Sequence, residues 1–175
     1  LHRESETHSD AIAAVSTKER IMRGLKTILS KHPLFKGLDK RYLQLIVDCA
    51  SDVHFNSGDL IFREGEEADQ FYIIRQGRVA LEVVLVPGRE PIIIQVIGEG
   101  DVLGWSWLFP PYRWHFDTRA VAPTQAIALD GKFLRTKCEK DHHLGYELMK
   151  RFANIIEKRL RAMRLQNPDM YAIHA

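Results

Sequence analysis

Apolar and polar positions change their period twice along this chain of 175 residues. Ile21, Leu25, Ile28 and Leu29 follow the three- and four-residue steps of one helix face, and Pro33 ends the run. Ser16 and Glu19 stand ahead of it at capping-box spacing. Leu34, Phe35 and Leu38 make a short apolar turn. Asp39 then caps a predicted second helix whose buried face is Leu43, Ile46, Val47 and Ala50. Residues 1–15 lack a hydrophobic period and are expected to be a flexible or partner-docked arm.

From Val53 the period falls to two. Val53 and Phe55 alternate with His54, and Asn56-Ser57-Gly58 marks a turn. Leu60–Phe62, Phe71–Ile74 and Val79–Leu85 read as strands, with Gln76-Gly77 as a reversal and Pro87-Gly88 as a stop. Ile92–Ile97 answers Val79–Leu85 as the other arm of a hairpin, and Phe116–Ala122 with Gln125–Leu129 is expected to form the last one. Some eight short strands at this spacing predict a closed antiparallel barrel or roll.

The helical period returns after Gly131. Phe133 and Leu134 open a short helix, and a long one is predicted from about His143 to Gln166, closed by Pro168. Its stripe is Leu144, Leu148, Phe152, Ile155, Ile156, Leu160 and Met163. That is more apolar length than a small barrel needs, so the stripe is read as an interface to a second copy or to a heteromeric complex. The predicted layout is an arm at 1–15, helices at 16–50, a β centre at 51–131, helices at 132–166 and a tail at 167–175. The fold class is α+β.

Composition narrows the function. With 45% apolar and 27% charged residues, the chain matches an ordinary globular protein and neither a disordered nor a collagen-like one. Its longest apolar runs are too short to cross a bilayer, and no membrane association is expected. Cys49 and Cys138 are lone cysteines, which favours a reducing cytoplasm over a disulfide scaffold. Cys138 and His142 are four apart, but two ligands do not close a zinc site, and no metal is expected. No nucleophile elbow, phosphate loop or dinucleotide fingerprint is present, so no enzymatic activity is expected.

Two stretches carry a family resemblance. One is His32-Pro33-Leu34-Phe35-Lys36-Gly37-Leu38. The other runs from Phe55 through Gly58, Ile61-Phe62 and Glu64-Gly65-Glu66 to Phe71-Tyr72-Ile73-Ile74, Gly77 and Val79. Together they resemble the cyclic-nucleotide-binding domain of the catabolite-activator and kinase-regulatory-subunit superfamily. The resemblance covers about Leu25 to Gln166. It implies an antiparallel β-roll (a double-stranded β-helix, or jelly roll) with N-terminal helices and a long C-terminal helix.

Relatives that bind cyclic AMP or cyclic GMP use a cassette in which a Gly-Glu pair precedes an Arg by some ten residues. The Glu accepts from the ribose 2′-hydroxyl and the Arg pairs with the cyclic phosphate. The corresponding segment here is 98–115. It keeps Gly104, puts Trp105 in the Glu place, and its register puts Phe116 in the Arg place. Arg113 lies three residues before that place and Arg119 three after, with Arg119 on the outward strand parity. If any ligand binds, the candidate residues are Gly104, Trp105, Ser106, Trp107, Arg113 and Arg119. The aromatic series Trp105, Trp107, Phe109, Tyr112, Trp114 and Phe116 fills the pocket, stacks on a flat ligand, anchors a partner, or completes the core.

The Gly104-Trp105-Ser106-Trp107 run resembles stand-alone bacterial members, some of them accessory subunits of NAD(P)-linked nickel–iron hydrogenases. The resemblance therefore implies a non-enzymatic regulatory module with an altered pocket that acts through protein–protein association. A cytoplasmic sensor of cyclic AMP, cyclic GMP or another nucleotide is the alternative, and no other cofactor is expected. Nine residues follow the long helix, fewer than a DNA-reading helix pair needs, so autonomous sequence-specific DNA binding is not expected. Lys150, Arg151, Lys158, Arg159, Arg161 and Arg164 could touch phosphates, but such a cluster is more often a solvated basic face or a contact for an acidic partner.

Overall fold

The computed structural model describes residues 19–86 and 88–166, with side chains as far as Met163. Ser16, the predicted arm and the tail lie outside the described residues. The chain divides into two units, the second starting at Asp52.

In the first unit, helix α1 occupies 19–31 of the described residues and buries Leu25 and Leu29, while Ile21 is exposed. Leu34, Phe35 and Leu38 are buried in the turn that follows. Helix α2, Lys40–Asp48, is capped by the Asp39 carboxylate, which accepts from the Arg41 N–H, and it buries Tyr42, Ile46 and Val47. Cys49 is the half-buried residue that ends α2, and its thiol donates to the Ile46 carbonyl. Ala50 begins the first strand instead of extending the helix.

The second unit is built on two four-stranded antiparallel sheets. The strands are β1 Ala50–Phe55, β2 Leu60–Phe62, β3 Gln70–Gln76, β4 Val79–Val83, β5 Ile92–Ile97, β6 Val102–Leu103, β7 Asp117–Ala120 and β8 Thr124–Asp130. One sheet has the order β1-β8-β3-β6 and the other β2-β7-β4-β5. The β4–β5 hairpin forms as predicted, with Val79 opposite Ile97 and Val83 opposite Ile92. The last predicted hairpin does not. Strand β7 pairs with β2 and β4, whereas β8 pairs with β3, so 121–123 carries the chain from one sheet to the other. Alternation marks a strand but says nothing of which strand it pairs with. Strand β4 stops at Val83, and Val84 to Val86 leave the sheet exposed. Strand β6 has only two residues, too few to show a period.

Strand parity explains the core. Tyr72 and Ile74 of β3 and Ala126 and Ala128 of β8 point between the sheets, onto Val79, Leu81, Ile97 and Ala120. The other parity, Phe71, Ile73, Ile127 and Leu129, is equally buried, which makes these strands nearly continuous apolar runs. Helices α3, Gly131–Lys140, and α4, His142–Gln166, belong to this unit. The Asp130 carboxylate caps α3 by accepting from the Phe133 N–H.

Trp107 joins these layers. It sits in a 3-10 turn, Ser106–Leu108, fully buried, stacked on Phe71 at 5.0 Å between centroids and edge-on to Phe152 of α4 at 5.5 Å. A Cβ on Gly131 would lie 2.7 Å from the Trp107 Cβ, so only glycine lets α3 start against the indole. The Trp107 Nε1 makes no hydrogen bond, so the ring acts as an apolar filler that carries a small polar penalty. Trp107→Ala is expected to lower the unfolding free energy by about 3–5 kcal/mol in chemical denaturation.

Candidate functional site

The site grows out of the chain that leaves β5. Gly98 donates to the Asp101 carboxylate and Gly100 to the Ile74 carbonyl, and this tight turn feeds β6 alongside β3. Gly104 follows with φ +80, a left-handed conformation, and a Cβ there would meet the Trp114 ring at 2.7 Å. Trp114 in turn stacks on Phe62 at 3.8 Å between centroids. Glycine at 104 therefore both turns the chain and lets Trp114 lie over it.

These residues enclose one side of a partly open cavity of about 340 Å³. Its walls are Phe62, Leu81, Leu103, Trp105, Trp114 and Phe116, with Ile94 and Gln95 from β5 and Arg159 and Met163 from α4. A register shift in β5 between the partners of Leu81 and Glu82 accounts for Ile94 and Gln95 both reaching it. Ser106 and His115 also line the cavity and bond each other, with Oγ and Nδ1 3.1 Å apart. Among the described residues no carboxylate lines the cavity.

Among the described residues Arg159 is the one arginine or lysine in that wall, and it was read from the sequence as part of a solvated basic face or a contact for an acidic partner. Its guanidinium lies over the Trp105 ring at 4.7 Å and donates through Nη2 to the Val102 carbonyl. Burial holds its pKa below the ordinary arginine value, and the Asp101 carboxylate opposes that shift. The signal was present in the sequence. Position 159 is four after Ile155, three after Ile156 and four before Met163, so it continues the apolar stripe.

Of the predicted ligand residues, Gly104, Trp105 and Ser106 come together in the cavity. Trp107 does not; it belongs to the core. Arg113 does not reach the cavity either, since Nη1 donates 2.7 Å to the Gly65 carbonyl and its backbone bridges to Glu67. Arg119 pairs with the buried Glu82 at 3.2 Å and donates to the Gly58 carbonyl, on the sheet face away from the Leu81 wall. The interface stripe also divides. Leu144, Leu148 and Phe152 are fully buried within the unit and cannot be an interface, Ile155 and Ile156 are half-buried, and Leu160 and Met163 are exposed.

Arg135 was missed by sequence reasoning. From α3 it donates to the Ala68 and Trp107 carbonyls and to the Asp69 carboxylate, with its guanidinium 4.1 Å from the Tyr112 ring. It clamps the cassette to the segment that leads into β3. Among the described residues His115 has no hydrogen bond to a carboxylate that would orient it against Ser106. No group of three or more His, Cys, Asp or Glu side chains able to hold a metal occurs among the described residues.

A model of the cyclic nucleotide-binding domain matches residues 52–141. A cGMP-dependent protein kinase of Drosophila melanogaster is 34% identical over 43% of this chain and 8% of the kinase. A CRP-like cAMP-activated global transcriptional regulator of Mycobacterium tuberculosis is 25% identical over 77% of this chain and 58% of the regulator. The chain thus spans less than two thirds of either relative. A crystal structure from Geobacter metallireducens, described as a cyclic nucleotide-binding protein, superposes with a TM-score of 0.70. It is 26% identical and covers 77% of this chain and 96% of that one. Among the described residues no helix is long and apolar enough to cross a membrane.

Cys138 supplies a direct check on local burial. Desolvation, then Asp141 and Glu139, push its thiol up to about 11. At pH 8 its thiolate fraction should be roughly a hundredfold below that of an ordinary cysteine. Iodoacetamide labelling followed by mass spectrometry is expected to modify Cys138 far more slowly in the folded than in the urea-unfolded protein, with the rate rising toward pH 11.

Proposed function

Because the chain belongs to the cyclic nucleotide-binding domain family, which it matches over residues 52–141, we propose that it is a non-enzymatic regulatory module whose cavity is not a cyclic-nucleotide seat and whose output is protein association. The carrying observation is the absence of a carboxylate from the cavity wall, with Trp105 where the family pattern has Glu. A ribose hydroxyl buried there would lose its charged acceptor. The two arginines nearest the family's phosphate-binding place, Arg113 and Arg119, are held on Gly65 and on Glu82, away from the cavity. The redox-complex assignment, to an NAD(P)-linked hydrogenase or a similar enzyme, rests on the Gly104-Trp105-Ser106-Trp107 resemblance. Co-purification from the native host tests it.

The association surface we assign is the free edge of β5, seated against a second copy. β5 ends its sheet, and Ile92, Ile93 and Val96 on it are about half exposed. Val84, Leu85 and Val86 extend the same apolar surface, Leu85 being 70% exposed. Residues 92–97 carry no charge, so two copies meeting antiparallel across a two-fold axis face no like-charge repulsion.

Two measurements follow. Calorimetry with cyclic AMP and cyclic GMP is expected to give no binding tighter than about 1 mM, and micromolar binding of either would contradict the cavity reading. Light scattering is expected to give a dimer, and Ile93→Lys, at an exposed position, should weaken it at least about tenfold without changing the circular dichroism. A monomer at about 100 μM for the unaltered chain would contradict the edge assignment.

A further inference from the structure

The cavity wall holds a cation and, among the described residues, no carboxylate; Asp101, outside the wall, favours the charge without forming an ion pair. Arg159 has five N–H donors, of which one hydrogen bond, Nη2 to the Val102 carbonyl, is made among the described residues. It forms no ion pair there, and its face is covered by Trp105. A partly buried guanidinium left so incompletely compensated is stabilised by any anion that reaches it. The geometry points to a ligand for this cavity, on the reading above that it is not a cyclic-nucleotide seat: a sugar-free apolar monoanion, an aryl or alkyl carboxylate, with its carboxylate on Arg159 and its body against Phe62, Leu103 and Trp114.

Each part of that class follows from the wall. The charge is single because one cation faces the cavity, and a second negative charge would be buried uncompensated. The acid is a carboxylate because a guanidinium can hold it through two parallel hydrogen bonds. The body is apolar because, among the described residues and beside Arg159, the wall's polar groups are Gln95, the Ser106–His115 pair, which bond each other, and two indole N–H groups on large apolar rings. The stacked Phe62–Trp114 pair gives a flat face to an aromatic or extended body. The volume, about 340 Å³, lies at the small end of the range for organic ligands.

The test is calorimetry on the full chain with 4-phenylbutyrate, indole-3-acetate and decanoate, each beside its uncharged amide, and with cyclic AMP in a parallel titration. At least one acid is expected to bind at least about tenfold more tightly than its amide. Arg159→Gln should erase that ratio, and Arg159→Lys should keep part of it. Equal affinity for acid and amide, or silence from all three acids up to about 10 mM, overturns the inference. Should Arg159→Gln fail to fold, the acid-to-amide ratio on the unaltered protein decides alone. Cyclic AMP separates the two readings. Its micromolar binding overturns the cavity reading and this inference together, whereas silence from every ligand overturns this inference only.

Discussion

The packing of one indole fixes the position of nearly everything that bears on function. Trp107 lies between Phe71 of β3 and Phe152 of α4, and its backbone carbonyl is held by Arg135 of α3. Those contacts set where the cassette can run and where α4 crosses it. Trp105, two residues earlier, is left facing the cavity, and Arg159, seven residues after Phe152 and two helical turns along the same face, is brought over it. The cavity's chemistry is thus a consequence of core packing outside its wall.

That arrangement changes the source of positive charge. In the family pattern the charge comes from the cassette itself, some ten residues after its Gly-Glu pair. Here the two arginines nearest that place are consumed by local structure. Arg113 holds the Gly65 turn and Arg119 neutralises Glu82, whose burial without a partner would be costly. The cavity receives its cation from α4 instead. A charge carried on a helix would couple an occupant to that helix directly, because the guanidinium an anion would meet also bonds Val102 of β6.

Most of the β-roll was legible because its strands alternate or run continuously apolar between turn residues, and the Gly58, Gly65 and Gly77 turns separate them. Partnering was not legible. Phe116–Ala122 and Gln125–Leu129 read as a hairpin, yet β7 and β8 lie in different sheets, and nothing in a two-residue period encodes that crossover. Gly104 and Trp105 were singled out because they keep or replace motif positions, and the structure sets both beside Ser106 along the cavity. Arg159 was overlooked because a charged residue inside a basic run was assigned to solvent by type, although its spacing from Ile155, Ile156 and Met163 put it on the buried face. Trp107 and Trp105 stand two apart in one aromatic segment, and only the 3-10 turn decides that one enters the core and the other the cavity.

Strand β5 links the two halves of the functional reading. Its register shift turns Ile94 and Gln95 toward the cavity while Ile93 and Val96 remain exposed at the sheet edge. One six-residue strand therefore forms both a cavity wall and the surface assigned to a second copy. A ligand that packs against Ile94 acts on the same backbone that would pair across the edge. Any difference in its affinity for the free and the paired strand must appear as an equal factor in the association constant. Arg159 adds a second route, since a carboxylate drawing the guanidinium from the Val102 carbonyl would loosen α4 near the exposed Leu160 and Met163. Cavity and surface are joined by one shared strand, so an occupant of the first would meet the backbone of the second.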